Sequence, residues 1–386
     1  MSTGSERGRQ KRIEATFRSL IAAGVAALLP LTAAAATITV DTKADNMTAG
    51  DGECTLREAI GNVNALGDAS TGDCAAGTGA GDTIAFDLEL PAKIKLTLGQ
   101  LVVGQDVSIV GPTTGSLRIS GSRAGRVLSV TAGTTSVSNL TIERGRDLSG
   151  GGISNAGTLI LSNCTLKANS AGLGGGISNA GTATLINCTL KGNKGGQGGG
   201  INNAGTLHVT NSTFKGNRGY YGVGGGILNI GTATFTNCTL NRNRAYAGKG
   251  SLGGGGIWHS SANLGTATLT NTIVATSGRG GDCAGDPVTS NGHNLSSDDT
   301  CFTGGGTDLV ETDPLLAPLA NYGGPTETQA LCSGPGVPKG VCSGPSPALD
   351  AGDDAVTGPP DNLTTDQRGL NRNAGLHVDI GAYERQ

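Results

Sequence analysis

Eight cations and aromatics fall close together in the middle of the chain: Lys191, Lys194, Lys215, Arg218, Tyr220, Tyr221, Arg244 and Tyr246. Cationic and aromatic side chains on one surface suit an acidic glycan or another polyanion. Carboxylate chemistry is missing from the same region, because no Asp or Glu occurs from Leu148 to Gly281. Glycoside hydrolysis needs two carboxyl groups about 5–9.5 Å apart, and Ca²⁺ needs several hard oxygen ligands. Only the flanks can supply them: Asp82 and Asp87 early, and Asp350, Asp353, Asp354, Asp361, Asp366 and Asp379 late. Among these Asp353, Asp354, Asp366 and Asp379 are the Ca²⁺ candidates. Several of these acids, Asp82, Asp353 and Asp361, sit directly beside Gly, Pro or Asn, where turns use them. His208, His259, His293 and His377 lack metal-ligand spacing. Glycine runs such as Gly253 to Gly256 lack the phosphate-loop pattern. No catalytic residue is assigned and no cofactor is expected, with Ca²⁺ as the alternative.

These residues ride on an internal repeat. GGGISNAGTLILSNCTLKANS starts at Gly150, and related phrases start at Gly174, Gly198, Gly224 and, degenerately, Gly254. The spacings are 24, 24, 26 and 30 residues. Each copy alternates apolar and polar residues over short runs, which is the period of a strand. One copy holds three short strands and cannot bury a core alone, so copies must stack. Stacking predicts a right-handed parallel β-helix, an all-β solenoid of about 24-residue coils. The expected inward columns are Ile153/Ile177/Ile201/Ile227/Ile257, Leu161/Leu185/Val209/Phe235/Leu269 and Leu166/Leu190/Phe214/Leu240/Val274. Asn139, Asn163, Asn187, Asn211, Asn237 and Asn271 form a further column, expected at left-handed bends with stacked, inward-facing amides. An inward position argues against glycosylation at triplets such as Asn163-Cys164-Thr165.

Glycine supplies 68 of 386 residues, placed at the coil boundaries, and aromatics only 3%. The first 36 residues read as a signal peptide: a basic start, an apolar run from Leu20 to Leu31 and small residues from Ala33 to Ala36. Its removal leaves no apolar run long enough to span a bilayer. The remaining chain carries 22 basic and 28 acidic residues. Net acidity and export argue against a nucleic-acid partner. Nine cysteines divide into three in one repeat column, Cys164, Cys188 and Cys238, and three local pairs, Cys54–Cys74, Cys283–Cys301 and Cys332–Cys342. The pairs are expected disulfides of an exported chain. Thr55-Leu56-Arg57-Glu58 is a capping box opening a short amphipathic helix to about Leu66. It should lie across the first coil and protect its edges. The expected organisation is signal peptide 1–36, N-terminal cap 37–90, β-helix 91–281, and an irregular disulfide-pinned cap 282–386 closing the far end.

Asp51 to Ile60, DGECTLREAI, resembles the CSLREA-type N-terminal region of exported bacterial proteins, with Thr55 where Ser is common. Ser346 to Asp353, Thr365 to Gly369 and Asp379 to Glu384 resemble a choice-of-anchor C-terminal domain, here preceded by a Gly/Pro-rich insertion from Cys332 to Cys342. The repeats are similar to the pectin-lyase-like superfamily, and more loosely to polymorphic outer-membrane proteins. The resemblance implies a cell-surface or outer-membrane setting and polysaccharide lyase or hydrolase activity. Lyases of that shape use an acidic Ca²⁺ site with a basic residue near it. Only Arg385 and Gln386 follow Glu384, which argues against covalent or barrel anchoring.

Three readings of function follow. The first is a non-enzymatic, adhesin-like exported protein, extracellular or at the cell surface with the periplasm as alternative. It would be monomeric and contact acidic polysaccharide or cell-envelope glycan. The second is a polysaccharide lyase or glycoside hydrolase, and the third a structural spacer without ligand. Lys167, Lys191 and Lys215 form one outward column, and Arg146, Lys194, Arg218 and Arg244 another. Stacked cations repel by only ~1 kcal/mol at 4 Å in water, so a merely solubilising stripe is also tolerable. The loops beside them carry Tyr220, Tyr221 and Tyr246, with Trp258 one coil on.

Overall fold

Alternation along each repeat copy places one apolar side chain after another on the same face, and parallel stacking buries them. A computed structural model of the protein describes residues 34–386 except 247–252, 263, 279, 303–305, 337 and 339–341. The signal-peptide reading falls, through residue 33, outside the described residues. Residues 35–386 form one compact unit of short parallel strands wound into a helix.

A typical coil runs through four sheets. Arg146–Ser149 belongs to sheet 4, Ile153–Asn155 to sheet 3, Thr158–Ser162 to sheet 1 and Thr165–Lys167 to sheet 2. Sheets 1, 2, 3 and 4 have ten, nine, eight and five strands. The three inward columns stack as expected: Ile153 pairs with Ile177, Leu161 with Leu185, and Leu166 with Leu190. All are fully buried, each such apolar side chain contributing roughly 1.5–3 kcal/mol. The bends recur as well. Every member of the column Asn139, Asn163, Asn187, Asn211, Asn237 and Asn271 has φ between 47° and 57°. Gly174 opens the GGGI bend at φ +60°, and a Cβ there would meet the Ile177 carbonyl.

The column of bend asparagines does not face inward, contrary to the reading above. It lies on an outer corner, where Asn139, Asn163 and Asn187 are half-buried, while Asn211, Asn237 and Asn271 are buried, Asn211 and Asn271 bonding the C-terminal region that covers them. Their amides do stack, Asn163 Nδ2 donating to Asn139 Oδ1 at 3.2 Å and Asn187 Nδ2 to Asn163 Oδ1 at 3.3 Å. Two other asparagine columns fill the interior. Asn155, Asn179, Asn203 and Asn229 stack at 2.7 Å, ending on His259. Asn169, Asn193, Asn217 and Asn243 stack at 2.9–3.1 Å while also bonding backbone groups of neighbouring coils. Fully buried amides are tolerable because the stacked members bond one another and nearby backbone carbonyls; Asn155 Oδ1, at the end of its column, is the exception without a partner among the described residues.

The helix α1, Leu56–Ala65, caps the N-terminal end. Thr55 accepts from the Glu58 N–H while the Glu58 carboxylate accepts from the Thr55 N–H, completing the capping box. Leu56, Ala59, Ile60 and Val63 join the main core. Cys54–Cys74 pins this cap, with Cα atoms 4.9 Å apart. The coil pattern continues past residue 281 through Cys283–Gly285, Thr289–Ser290 and Leu295–Ser296. Disulfide Cys283–Cys301 and the buried Phe302 then join the end of the core. Cys332–Cys342 is also formed, and Cys164, Cys188 and Cys238 are free and buried.

The rest of the C-terminal region is not an end plug. It folds back along the flank of sheet 2. Thr326 Oγ1 donates to the Asn187 carbonyl at 2.8 Å, the Glu327 carbonyl accepts from Thr189, Thr328 meets Thr213 at 3.1 Å and Gln329 accepts from Asn241 at 3.0 Å. This strap buries a second small core of Ile273, Ala275, Leu295, Leu331, Ala348 and Ile380. The physical reason is compositional. The outward Thr and Lys columns of sheet 2 become Ile273 and Ala275 in a late coil, leaving apolar surface that needs a cover.

Candidate functional site

Sheet 4 carries the unusual surface. Its strands Arg146–Ser149, Ser170–Leu173, Lys194–Gln197, Arg218–Gly219 and Arg244–Ala245 place Arg146, Ser170, Lys194, Arg218 and Arg244 in one outward column. All four cations are exposed. Neighbouring strands lie about 4.8 Å apart, so the column projects positive charge along the helix axis.

Beside it runs an open groove of about 740 Å³. Arg123 and Arg146 stand at one end, Tyr220 and Tyr221 at the other, and Ala171, Gly172 and Gly196 form the floor. The floor is flat because its residues are small. At Gly196 a Cβ would come within 2.5 Å of the Tyr221 ring, so only glycine lets that ring lie over the strand. Tyr221 remains 76% exposed. Tyr220 and Tyr246, on adjacent coils, stack with centroids 5.7 Å apart. A hydrogen bond from Arg244, aided by the charge of Arg218, holds the Tyr246 phenol below its ordinary pKa. Asp147 is the one carboxylate among the groove-lining residues, and it lies 3.4 Å from Arg126.

The eight residues singled out in the sequence therefore fall on two faces. Lys194, Arg218, Tyr220, Tyr221, Arg244 and Tyr246 gather on sheet 4 and its edge. Lys191 and Lys215 stack on sheet 2 instead, beside the strap. Lys191 pairs with Glu327 of the strap. Lys215 is half-buried, and burial, followed by the charge of Arg242, pushes its pKa down to about 8. Lys167 of the same column pairs with Glu143 at 3.3 Å, and Glu143 also holds Lys93 at 2.9 Å. Arg123 is the groove residue that repeat reasoning passed over. It lies one coil before the recognisable copies, in a Ser-Arg-Ala-Gly turn. Trp258 lies on sheet 3, paired with Leu228, away from the sheet 4 column.

The four acids considered for Ca²⁺ divide between an exposed turn, which holds Asp353 and Asp354, and a buried cluster with arginines, which holds Asp366 and Asp379. Asp353 caps the turn Asp354–Thr357, and Asp354 meets exposed His377 at 2.8 Å. Asp366 holds Arg368 at 2.7 Å. Asp379 accepts from the Asp350 N–H at 2.8 Å. Among the described residues no group of three or more His, Cys, Asp or Glu is placed to hold a metal ion.

Asp366, Arg368, Arg372, Asp379 and Glu384 are the charged residues of the C-terminal motifs and their surroundings, and they form a buried cluster. Arg372 is fully buried, donates to Asn211 Oδ1 at 2.8 Å and lies 3.5 Å from Glu384. Gln367, also fully buried, donates to the Cys188 carbonyl at 3.2 Å and to Thr189 at 3.0 Å. Arg368 lies over the Tyr383 ring, 3.8 Å from its centre. These residues lock the strap to the helix.

Neither a protein-family model nor a curated protein sequence matches the chain. Among solved structures, it is similar to one described as the crystal structure of pectate lyase Pel9A. The identity is 12%, 92% of this chain and 97% of that one are covered, and the TM-score is 0.40. The strand registers establish the parallel β-helix independently of that likeness. No helix of the described residues is long and apolar enough to cross a membrane.

Proposed function

We propose that this is a non-enzymatic exported β-helix protein that contacts acidic polysaccharide through the groove and cation column of sheet 4. The observation that carries the reading is the conjunction on one face of Arg123, Arg146 and the column to Arg244 with the exposed rings of Tyr220 and Tyr221. A carboxylated or sulfated sugar chain meets guanidinium groups by charge-assisted hydrogen bonds and rings by their faces. A single carboxylate, Asp147, leaves the groove short of the pair that hydrolysis needs. Three disulfides favour an oxidising compartment, consistent with the cell exterior. The N-terminal and C-terminal resemblances point the same way, to a cell-surface setting.

The test is to incubate the purified protein with polygalacturonate, with and without Ca²⁺, while following binding and sugar release together. Salt-sensitive binding without release is expected. Release of unsaturated or reducing sugars, lost on replacing Asp353, Asp354, Asp366 or Asp379, would replace this reading with the lyase or hydrolase one.

A further inference from the structure

Sheet 1 presents a second surface with different chemistry. Its outward positions form a two-dimensional lattice rather than a cleft. One column is threonine in six successive coils: Thr134, Thr158, Thr182, Thr206, Thr232 and Thr266. The next reads Ser136, Ile160, Thr184, His208, Thr234 and Thr268, and the third Ser138, Ser162, Ile186, Thr210, Thr236 and Thr270. Across these eighteen positions there is no Asp, Glu, Lys, Arg, Phe, Tyr or Trp. His208 is the only titratable side chain, and it bonds Thr234 at 2.8 Å.

The strap leaves this face open. Its hydrogen bonds run to sheet 2 and to the asparagine corner, whereas Thr232, Thr266 and His208 are exposed. Apart from Thr234 with His208 and Thr270 with Asn291, the threonine hydroxyls of the lattice make no hydrogen bond to another described residue. They are left to water. Register holds their spacing at about 4.8 Å between coils and about 6.6 Å along each strand. The backbone ladder and the buried asparagine columns keep that spacing rigid.

A polyanion would need cations here, and a sugar face would need rings. An apolar protein partner would favour the aromatic and Met side chains enriched at interface cores. An uncharged, flat, periodic array of hydroxyl and methyl groups fits a partner that is itself uncharged, flat and periodic at this scale. A water layer ordered over such an array would share its two repeats, as the first layer of a crystalline water face must. We propose that sheet 1 is an ice-binding face, with crystalline water as its ligand.

The experiment uses the whole folded chain, fluorescently labelled, with ice grown slowly through the solution and grain growth followed in frozen sucrose. The unmodified protein is expected to enter the ice and arrest grain coarsening. A Thr182→Lys/Thr232→Lys pair should be excluded from ice and lose the arrest, with its melting temperature and circular dichroism unchanged. Arg218→Glu, on sheet 4, should retain both. If the lysine pair impairs folding, Thr232→Tyr at the exposed position reads the same contrast. Exclusion of the unmodified protein from ice, at the level of albumin, overturns the proposal. So does full ice incorporation by the folded lysine pair. A dimer of the unmodified chain that the lysine pair splits, without ice incorporation, would assign the face to self-association instead.

Discussion

Glu384 shows how a single residue records the fold's electrostatics. It lies beside Arg372, with Asp379, Asp366 and Arg368 completing the buried cluster. Burial, then the neighbouring charge of Asp379, pushes its pKa up to about 8. The folded chain thus keeps a proton that the unfolded chain loses near pH ~4.3. Between that value and about 8 the folded state binds more protons, so this residue's contribution to stability declines as pH rises. Urea melts at several pH values should show Glu384→Gln gaining stability relative to the parent as pH rises through that window. Cysteine behaves comparably. Burial raises the Cys164 and Cys238 thiols to about 12, and Cys188 is raised well above its ordinary value. An aromatic disulfide reagent should find none of the three in the native protein and all three after denaturation. The repeat column already set these three thiols apart from the cysteines expected in disulfides. The buried pairing of Arg372 with Glu384 was not legible, because their motif positions acquire meaning only once the strap lies on the helix.

At the scale of elements, the asparagine columns divide into two that are interior throughout and one on a corner whose early members are half-buried. Asn217 accepts from the Asn193 backbone N–H and amide, each at 3.0 Å, and donates to the Leu190 carbonyl and to Asn243, each at 2.9 Å. Asn217→Ala orphans buried donors and should cost roughly 3 kcal/mol or more. Asn163→Ala, on the half-buried corner, should cost under about 1 kcal/mol. Chemical denaturation of the two variants checks the contrast. The corner column was readable because asparagine interrupts the alternation there. The two interior columns recur with the same period, yet period alone does not decide whether a polar side chain at a bend points in or out. The strap was hinted at by Ile273-Val274-Ala275, a strand apolar on both faces. Without the fold, that run is equally compatible with a closing coil.

For the molecule as a whole, winding separates chemistries by face. Sheet 2 carries the strap, sheet 4 the cations and rings, and sheet 1 the neutral threonine lattice. A 24-residue period makes this separation possible, since one substitution repeated per coil paints a whole column. The parallel β-helix and its apolar columns were therefore legible from the repeat, and the N-terminal capping helix from its capping box. The grouping of the candidate site was half legible: each cation column was correct, but the strap beside Lys191 and Lys215 arises from long-range packing. The central claim is that sheet 4, and not sheet 2, engages acidic polysaccharide. The most direct measurement compares polygalacturonate dissociation constants for the parent, Arg146→Glu/Arg218→Glu and Lys191→Glu at fixed low salt. The sheet 4 pair should weaken binding by about tenfold or more, equivalent to about 1.4 kcal/mol, while Lys191→Glu leaves it unchanged. Equal affinities for all three, or a loss confined to Lys191→Glu, would contradict the account.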